Sequence, residues 1–126
     1  MLKKIVSTPE APEAIGPYSQ AVKVGNFIFT AGQIAINPAT QQMVNGGIKA
    51  QTEQVINNLK AVLKAAGFSL ADVVKADVFL KNLEDFAQMN EVYAQFFSAS
   101  KPARTTVAVG DLPKGALVEI SVIATE

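Results

Sequence analysis

Two charged residues, Arg104 and Glu119, each lie in a segment whose other residues are small, β-branched or aliphatic. Such segments are typical of strands. If the two segments form a hairpin centred on residues 110–113, the two side chains are directly opposite on one face, about 5 Å apart at Cβ. A guanidinium with free donors binds carboxylates, and a neighbouring acid can hold a water molecule or exchange a proton. The pair therefore predicts a site for a small anionic substrate.

The exact pairing of the two segments leaves alternatives open. A centre shifted by one residue pairs Arg104 with Ser121 and Glu119 with Thr106, and all four side chains still share one face. The competing interpretation is a structural ion pair, which also perturbs titration without any function. Such a pair is weak support for stability when it is buried, because desolvation can exceed the Coulomb attraction.

Other candidate residues lie outside this pair. In the segment Gly16-Pro17-Tyr18-Ser19-Gln20, Tyr18 is either a phenol donor beside a pocket or a partly buried residue of a rigid turn. Gly32 interrupts a β-branched and aromatic run, as glycine does at a bulge or where another group approaches the backbone. Asn90 and Phe86 fall in a predicted helix, where a solvated amide and a core aromatic are the ordinary interpretations.

The composition restricts the chemistry further. The 126 residues include no Cys and no His, which excludes thiol nucleophiles, imidazole bases, disulfides and metal sites with thiolate or imidazole ligands. Lys and Arg number 11, as do Asp and Glu, so no net charge attracts nucleic acid or an anionic membrane. No segment reaches the length of a membrane span, and none near the start is typical of a signal peptide. We expect a cytoplasmic protein without a metal site. A metal held only by oxygen ligands stays possible, but the sequence contains no EF-hand-like run of acids.

The spacing of the apolar residues predicts the elements that position these side chains. Two segments with helical spacing predict amphipathic helices, and six β-branched segments predict strands. The strands are predicted at 2–6, 21–24, 27–35, 73–80, 103–109 and 117–125, and the helices at 49–66 and from Asn82 to near Ser98. The order β-β-β-α-β-α-β-β favours one α+β domain over residues 1–126, with two helices on one face of a mixed six-stranded sheet.

Two helices leave the other face of this sheet without a cover. Its candidate residues include Leu117 and Ile123, which are too apolar for water, and only 17% of the sequence is charged. We therefore expect an oligomer that forms through its sheets.

Within the strand at 73–80, alternation predicts that Val74, Ala76, Val78 and Leu80 share one face.

Five segments together carry a family resemblance: AIGPYSQA at 14–21, FTAGQI at 29–34, NEVY at 90–93, KPAR at 101–104 and LPKGALVEI at 112–120. In this order they resemble the RidA family, also called YjgF, of reactive intermediate deaminases. The resemblance implies a chorismate-mutase-like fold and a homotrimer whose sheets line a central barrel, with three pockets at subunit interfaces. It also implies cofactor-independent hydrolysis of 2-iminobutanoate, 2-iminopropanoate and their enamines to 2-keto acids and ammonia, which limits metabolite damage.

The resemblance also assigns roles to residues. The family's carboxylate-binding arginine falls on Arg104, its water-positioning acid on Glu119 and its pocket tyrosine on Tyr18. A regulatory or interaction module that binds a small carboxylate at Arg104 without turnover is the alternative, because the same arginine serves both functions. RNA cleavage, which the family's name has sometimes included, is disfavoured by the zero net charge and the absence of imidazoles.

Four further positions match substrate-binding residues of the family. Gly32 matches a glycine with close backbone approach, Asn90 the helix asparagine and Phe86 an aromatic that can flank the ligand. Thr106 stands where many members have Cys. A hydroxyl can donate a hydrogen bond there but cannot supply a thiolate, so any activity that needs the thiol is in doubt.

Overall fold

The computed structural model describes residues 2–126 as a six-stranded sheet with two helices packed against one face. In chain order the elements are β1 (Lys3–Val6), β2 (Ala21–Val24), β3 (Phe27–Thr30), β4 (Ile36–Asn37), β5 (Gln42–Met43), α1 (Gly47–Ala65), β6 (Val73–Leu80), α2 (Phe86–Phe97), β7 (Ala103–Ala108) and β8 (Val118–Thr125). The strands β4 and β5 form a separate two-stranded ribbon. The predicted fold class and the order of the main elements are confirmed.

The order of the strands across the sheet is β1-β2-β3-β8-β6-β7. β6 pairs on one side with β7, in parallel, and on the other with β8, antiparallel. The predicted hairpin between the last two strands is therefore wrong, because β6 lies between them. Parallel neighbours need a crossover, and α2 supplies it between β6 and β7.

The core lies between the helices and the sheet. Its residues on α1 recur every three or four positions and are fully buried: Val55, Ile56, Leu59, Val62 and Leu63. Alternate residues of β8 face them: Val118, Ile120, Val122 and Ala124. The helical spacing on α1 was expected from the sequence, and burial of this apolar area is the main stabilising term of the fold. Within residues 2–126, neither helix has the length and apolar character needed to cross a membrane.

Two element ends differ from the predictions. β6 has a register shift between Val73 and Lys75, which leaves Val74 44% exposed while Ala76 is buried. One extra residue reverses the alternation, so Val74 does not share the face of Ala76 as predicted. A 3-10 turn at Leu83–Asp85 precedes α2, and Asn82 makes no side-chain capping bond.

The other face of the sheet, here called the open face, is apolar on the side of β1, β2, β3 and β8. The pairing register aligns one apolar row across these four strands: Ile5, Val22, Phe29 and Ile123. Phe29 is 44% exposed and stacks on Phe27 with ring centroids 6.2 Å apart. Leu117, predicted on this face, packs against the core instead, because it precedes β8 where its N–H donates to Gln51 of α1.

Candidate functional site

Glu119 lies on β8 with its side chain against the backbone at Gly32. A Cβ at position 32 would lie 2.8 Å from Cδ of Glu119, so only glycine leaves room for this carboxyl group. β3 ends at Thr30 rather than continuing to residue 35 as predicted. Beyond it, only Gln33 bonds to β8, through backbone hydrogen bonds of 2.9 and 3.1 Å to Ile120. The chain thus leaves the sheet after Thr30, next to Gly32, where the carboxyl group of Glu119 lies against the backbone.

The carboxyl group of Glu119 is half-buried and has no lysine or arginine partner within 4.0 Å among residues 2–126. Burial without a cation disfavours the ionised form, and it raises the pKa of Glu119 above its ordinary value. An acid whose pKa is closer to neutrality exchanges protons with substrate or water more readily.

Tyr18 lines the same cavity as Gly32 and Glu119, a cleft of about 330 Å³. Its hydroxyl oxygen accepts a long hydrogen bond, 3.4 Å, from the backbone N–H of Ile15 and is otherwise free to face the cleft. The preceding loop is fastened by the buried side chain of Gln20, which makes four hydrogen bonds to the backbone of residues 8–12. Tyr18, Gly32 and Glu119 are here called the acid cluster.

Arg104 lies on the other face of the sheet. The register of β7 on β6 places it opposite Ala76, which faces the helices, whereas Glu119 is opposite Phe79 on the open face. The predicted shared face of Arg104 and Glu119 is therefore wrong, and so is their structural ion pair. The error follows from the missing middle strand, since the prediction assumed that the two segments pair directly. Thr106 shares the face of Arg104.

The guanidinium of Arg104 is held by residues of α2. Its Nη1 donates a 2.6 Å hydrogen bond to Oδ1 of Asn90, and its Cζ lies 5.5 Å from the ring centroid of Phe86 and 4.6 Å from that of Tyr93. No carboxylate of residues 2–126 lies within 4.0 Å of it. Most of its five N–H donors are thus free for a ligand. Arg104, Asn90 and Phe86 are here called the arginine cluster. Arg104 and Asn90 line a cleft of about 370 Å³.

Two side chains near the arginine cluster have hydroxyls that are buried without a hydrogen-bond partner in residues 2–126: Tyr93 and Thr106. Burial raises the pKa of Tyr93, and the nearby Arg104 opposes that rise. The sequence presents Tyr93 as the last residue of the NEVY segment at 90–93 and, as an alternative to Val92, on the apolar stripe of the second helix. Neither pattern distinguishes it from a core aromatic. Its position beside Arg104 follows only from the structure, in which the side chain of Arg104 on β7 contacts α2.

The two clusters define what one chain can do by itself. The arginine cluster can bind a carboxylate, and the acid cluster can hold water or move a proton. They face opposite sides of the sheet with β6 between their strands, so one small acid cannot contact both clusters of the same chain. Residues 2–126 contain no group of three acidic residues that could hold a metal ion.

Comparisons with known proteins agree with the family resemblance that the five sequence segments indicated. The family model described as Endoribonuclease L-PSP matches residues 8–126. A RutC family protein of Pyrococcus horikoshii is 58% identical over 123 residues, which cover 98% of each chain. A Dermatophagoides farinae protein named 2-iminobutanoate/2-iminopropanoate deaminase is 50% identical, over 96% of this chain and 94% of its own.

The structural comparison leads to the same group of proteins. The crystal structure of RidA from an Antarctic Psychrobacter species has a TM-score of 0.93 and 49% identity, with 98% of this chain and 99% of that chain covered. The family model matches nearly the whole chain, and the two relatives named above are 58% and 50% identical to it. These matches show more than a shared fold. The chain therefore belongs to the Endoribonuclease L-PSP family, which includes the RutC and RidA proteins.

Proposed function

We propose that this protein hydrolyses small 2-imino acids and their enamine forms to 2-keto acids and ammonia, without a cofactor. The observation that carries the proposal is the guanidinium of Arg104, which has a neutral amide as its hydrogen-bond partner and free donors beside a cleft. Such a group binds a carboxylate through charge-assisted hydrogen bonds. The names of relatives such as the Dermatophagoides deaminase support the choice of an imino acid as substrate.

The reaction needs little from the protein, because an iminium carbon is already electrophilic. Arg104 binds the substrate carboxylate. Glu119, in its ionised form, accepts a proton from water as the water oxygen bonds to the iminium carbon. The proton then passes from Glu119 to the nitrogen of the tetrahedral intermediate, and the C–N bond breaks. The hydroxyl loses its proton to the departing ammonia, which gives the keto group and ammonium and leaves Glu119 ionised. Tyr18 donates a hydrogen bond in the cleft, and acid–base catalysis of this kind contributes about 10²–10⁴ in rate.

A homotrimer is part of the proposal, because one chain does not bring its two clusters together. The arginine cluster of one subunit would face the acid cluster of the next, so that each pocket takes half of its residues from each of two chains. The apolar row on the open face supports this arrangement, since a second copy would remove it from water. Thr106 and Gly32 would line the shared pocket from opposite sides.

The proposal is tested by release of keto acid and ammonia from an imine that is generated enzymatically in the assay. Arg104→Ala should lose most of this activity, because the carboxylate then has no cation to bind. Lys60→Ala is the matched control, since it removes an exposed cation of α1 that lines neither the cleft of the acid cluster nor that of the arginine cluster. Full activity of Arg104→Ala would contradict the proposed site.

A binding module without turnover is the second candidate, because the arginine cluster alone can hold a carboxylate. Glu119→Gln separates the two functions. If the protein is an enzyme, this variant keeps its affinity for 2-ketobutyrate and loses turnover. Equal turnover in the variant and the wild type would favour the binding module.

A further inference from the structure

The side chain of Tyr93 is the nearest aromatic group to the guanidinium of Arg104. Cζ of Arg104 lies 4.6 Å from its ring centroid, compared with 5.5 Å for Phe86. Tyr93 is only 6% exposed, whereas Phe86 is 37% exposed. The ring of Tyr93 is also packed on that of the buried Phe97, with centroids 4.5 Å apart. Tyr93 is thus a fixed surface, and Phe86 is freer to move.

A long arginine side chain binds a carboxylate more tightly when its orientation is set before the ligand arrives, because less side-chain freedom is lost on binding. The face of an aromatic ring fixes the plane of a guanidinium that lies over it. The hydrogen bond from Nη1 to Asn90 then fixes the rotation within that plane. Together the two contacts leave the remaining donors of Arg104 at a defined edge.

We propose that Tyr93 is a positioning residue that holds the guanidinium of Arg104, through its ring, in the orientation that receives the substrate carboxylate. This inference rests on the proposed role of Arg104. The hydroxyl of Tyr93 is not needed for this task, because it is buried and has no partner in residues 2–126. A phenylalanine supplies the same ring without an unsatisfied hydroxyl, which is costly inside a protein.

The test compares Tyr93→Phe with Tyr93→Leu. Tyr93→Phe should bind 2-ketobutyrate within about twofold of the wild type and be at least as stable, whereas Tyr93→Leu should bind it about 3- to 30-fold more weakly. The loss should fall on KM for the imine more than on kcat, because orientation of the clamp acts on carboxylate binding. Met89→Ala, a buried change in the same helix, is the control for loss of stability alone.

A folded Tyr93→Leu variant with wild-type affinity and KM would overturn the inference. If that variant does not fold, a measurement on the wild type decides instead. The Nε–H resonance of Arg104, identified by its absence in Arg104→Lys, should show an upfield ring-current shift without ligand and keep it in Tyr93→Phe. An unshifted resonance would also overturn the inference.

Failure of the proposed function gives a different result. If Arg104 binds no carboxylate, the wild type neither hydrolyses imines nor binds 2-ketobutyrate, whatever residue stands at position 93. If the protein is a binding module, the wild type binds 2-ketobutyrate without turnover, and the affinities of the position-93 variants still test the inference. In the first case the ring-current shift of Arg104 still reports whether the guanidinium lies over an aromatic ring of α2. If the wild type binds and Arg104→Ala does not, but Tyr93→Leu behaves as the wild type, the inference about Tyr93 alone is wrong.

Discussion

The carboxyl group of Glu119 occupies the space that any side chain at position 32 would fill. Gly32→Ala should therefore displace Glu119 and lower kcat/KM for imine hydrolysis by about 10- to 100-fold, as misplacement of a reacting group by about 1 Å does. Affinity for 2-ketobutyrate, which depends on Arg104, should change much less. Gly110→Ala is the matched control, since a Cβ there meets no atom within 4 Å. Equal losses in the two variants would contradict the close approach.

The raised pKa of Glu119 predicts the acid side of the pH–rate profile. Only the ionised form accepts a proton from water, so kcat/KM should fall as the pH drops through an apparent pKa above the ordinary value of 4.5. The uncatalysed hydrolysis is subtracted at each pH. Glu119→Gln should show low activity with no such decline. A wild-type decline centred at or below 4.5 would argue against a half-buried catalytic acid.

The same shift links stability to pH. Because burial raises the folded-state pKa of Glu119 above that of the unfolded chain, the fold favours the protonated form. This contribution is complete below the ordinary pKa and is lost as the pH rises through the raised one. Denaturant unfolding should therefore show the wild type losing free energy of unfolding relative to Glu119→Gln as the pH rises above the ordinary pKa of 4.5. The opposite trend would contradict the assigned cause.

At the residue scale, the sequence predicts which residues are functional candidates better than it predicts which of them lie on the same face of the sheet. Arg104 and Glu119 stand out because charges are rare in apolar strands, and that signal is local. Whether they share a face depends on the strand between them, and no local pattern reports it. The place of Tyr93 beside Arg104 could not be predicted, because an aromatic on a helical stripe gives the same pattern in a core and beside an arginine.

Among the elements, the loop that carries Tyr18 depends on Gln20. Gln20→Ala should lower the free energy of unfolding by about 2–4 kcal/mol, because it leaves one buried and three partly buried backbone groups of residues 8–12 without this partner. Limited proteolysis should cut this loop faster in the variant. Gln88→Ala, an exposed change on α2, is the control. Unchanged stability and cleavage in Gln20→Ala would show that other contacts fasten the loop.

The elements whose ends depend on local spacing were predicted within one or two residues. α1, for example, was expected at 49–66 and spans Gly47–Ala65. The ends that were wrong have causes elsewhere in the fold. β3 stops early because the backbone at Gly32 makes room for Glu119, and Val74 changes face because β6 has a bulge against β8. Gly32 and Val74 lie within their predicted segments, but the groups that decide both outcomes lie on β8, which local spacing does not report.

At the scale of the whole molecule, the two clusters of one chain are separated, so a pocket that contains both must form between two subunits. If each pocket joins the arginine cluster of one subunit to the acid cluster of the next, two inactive variants should restore each other. Arg104→Ala keeps an intact acid cluster, and Glu119→Gln keeps an intact arginine cluster. Randomly mixed trimers from equal amounts of the two should recover about one quarter of the wild-type sites.

The experiment co-refolds the two variants and measures imine hydrolysis, with mixed trimers verified by native mass spectrometry. Each variant refolded with the double variant Arg104→Ala/Glu119→Gln is the control and should stay inactive, since no pocket then has both groups. Mixed trimers without recovered activity would mean that each pocket draws Arg104 and Glu119 from the same chain, which the register of β7 and β8 on β6 opposes. Recovery therefore tests the sheet topology and the shared pocket in a single measurement.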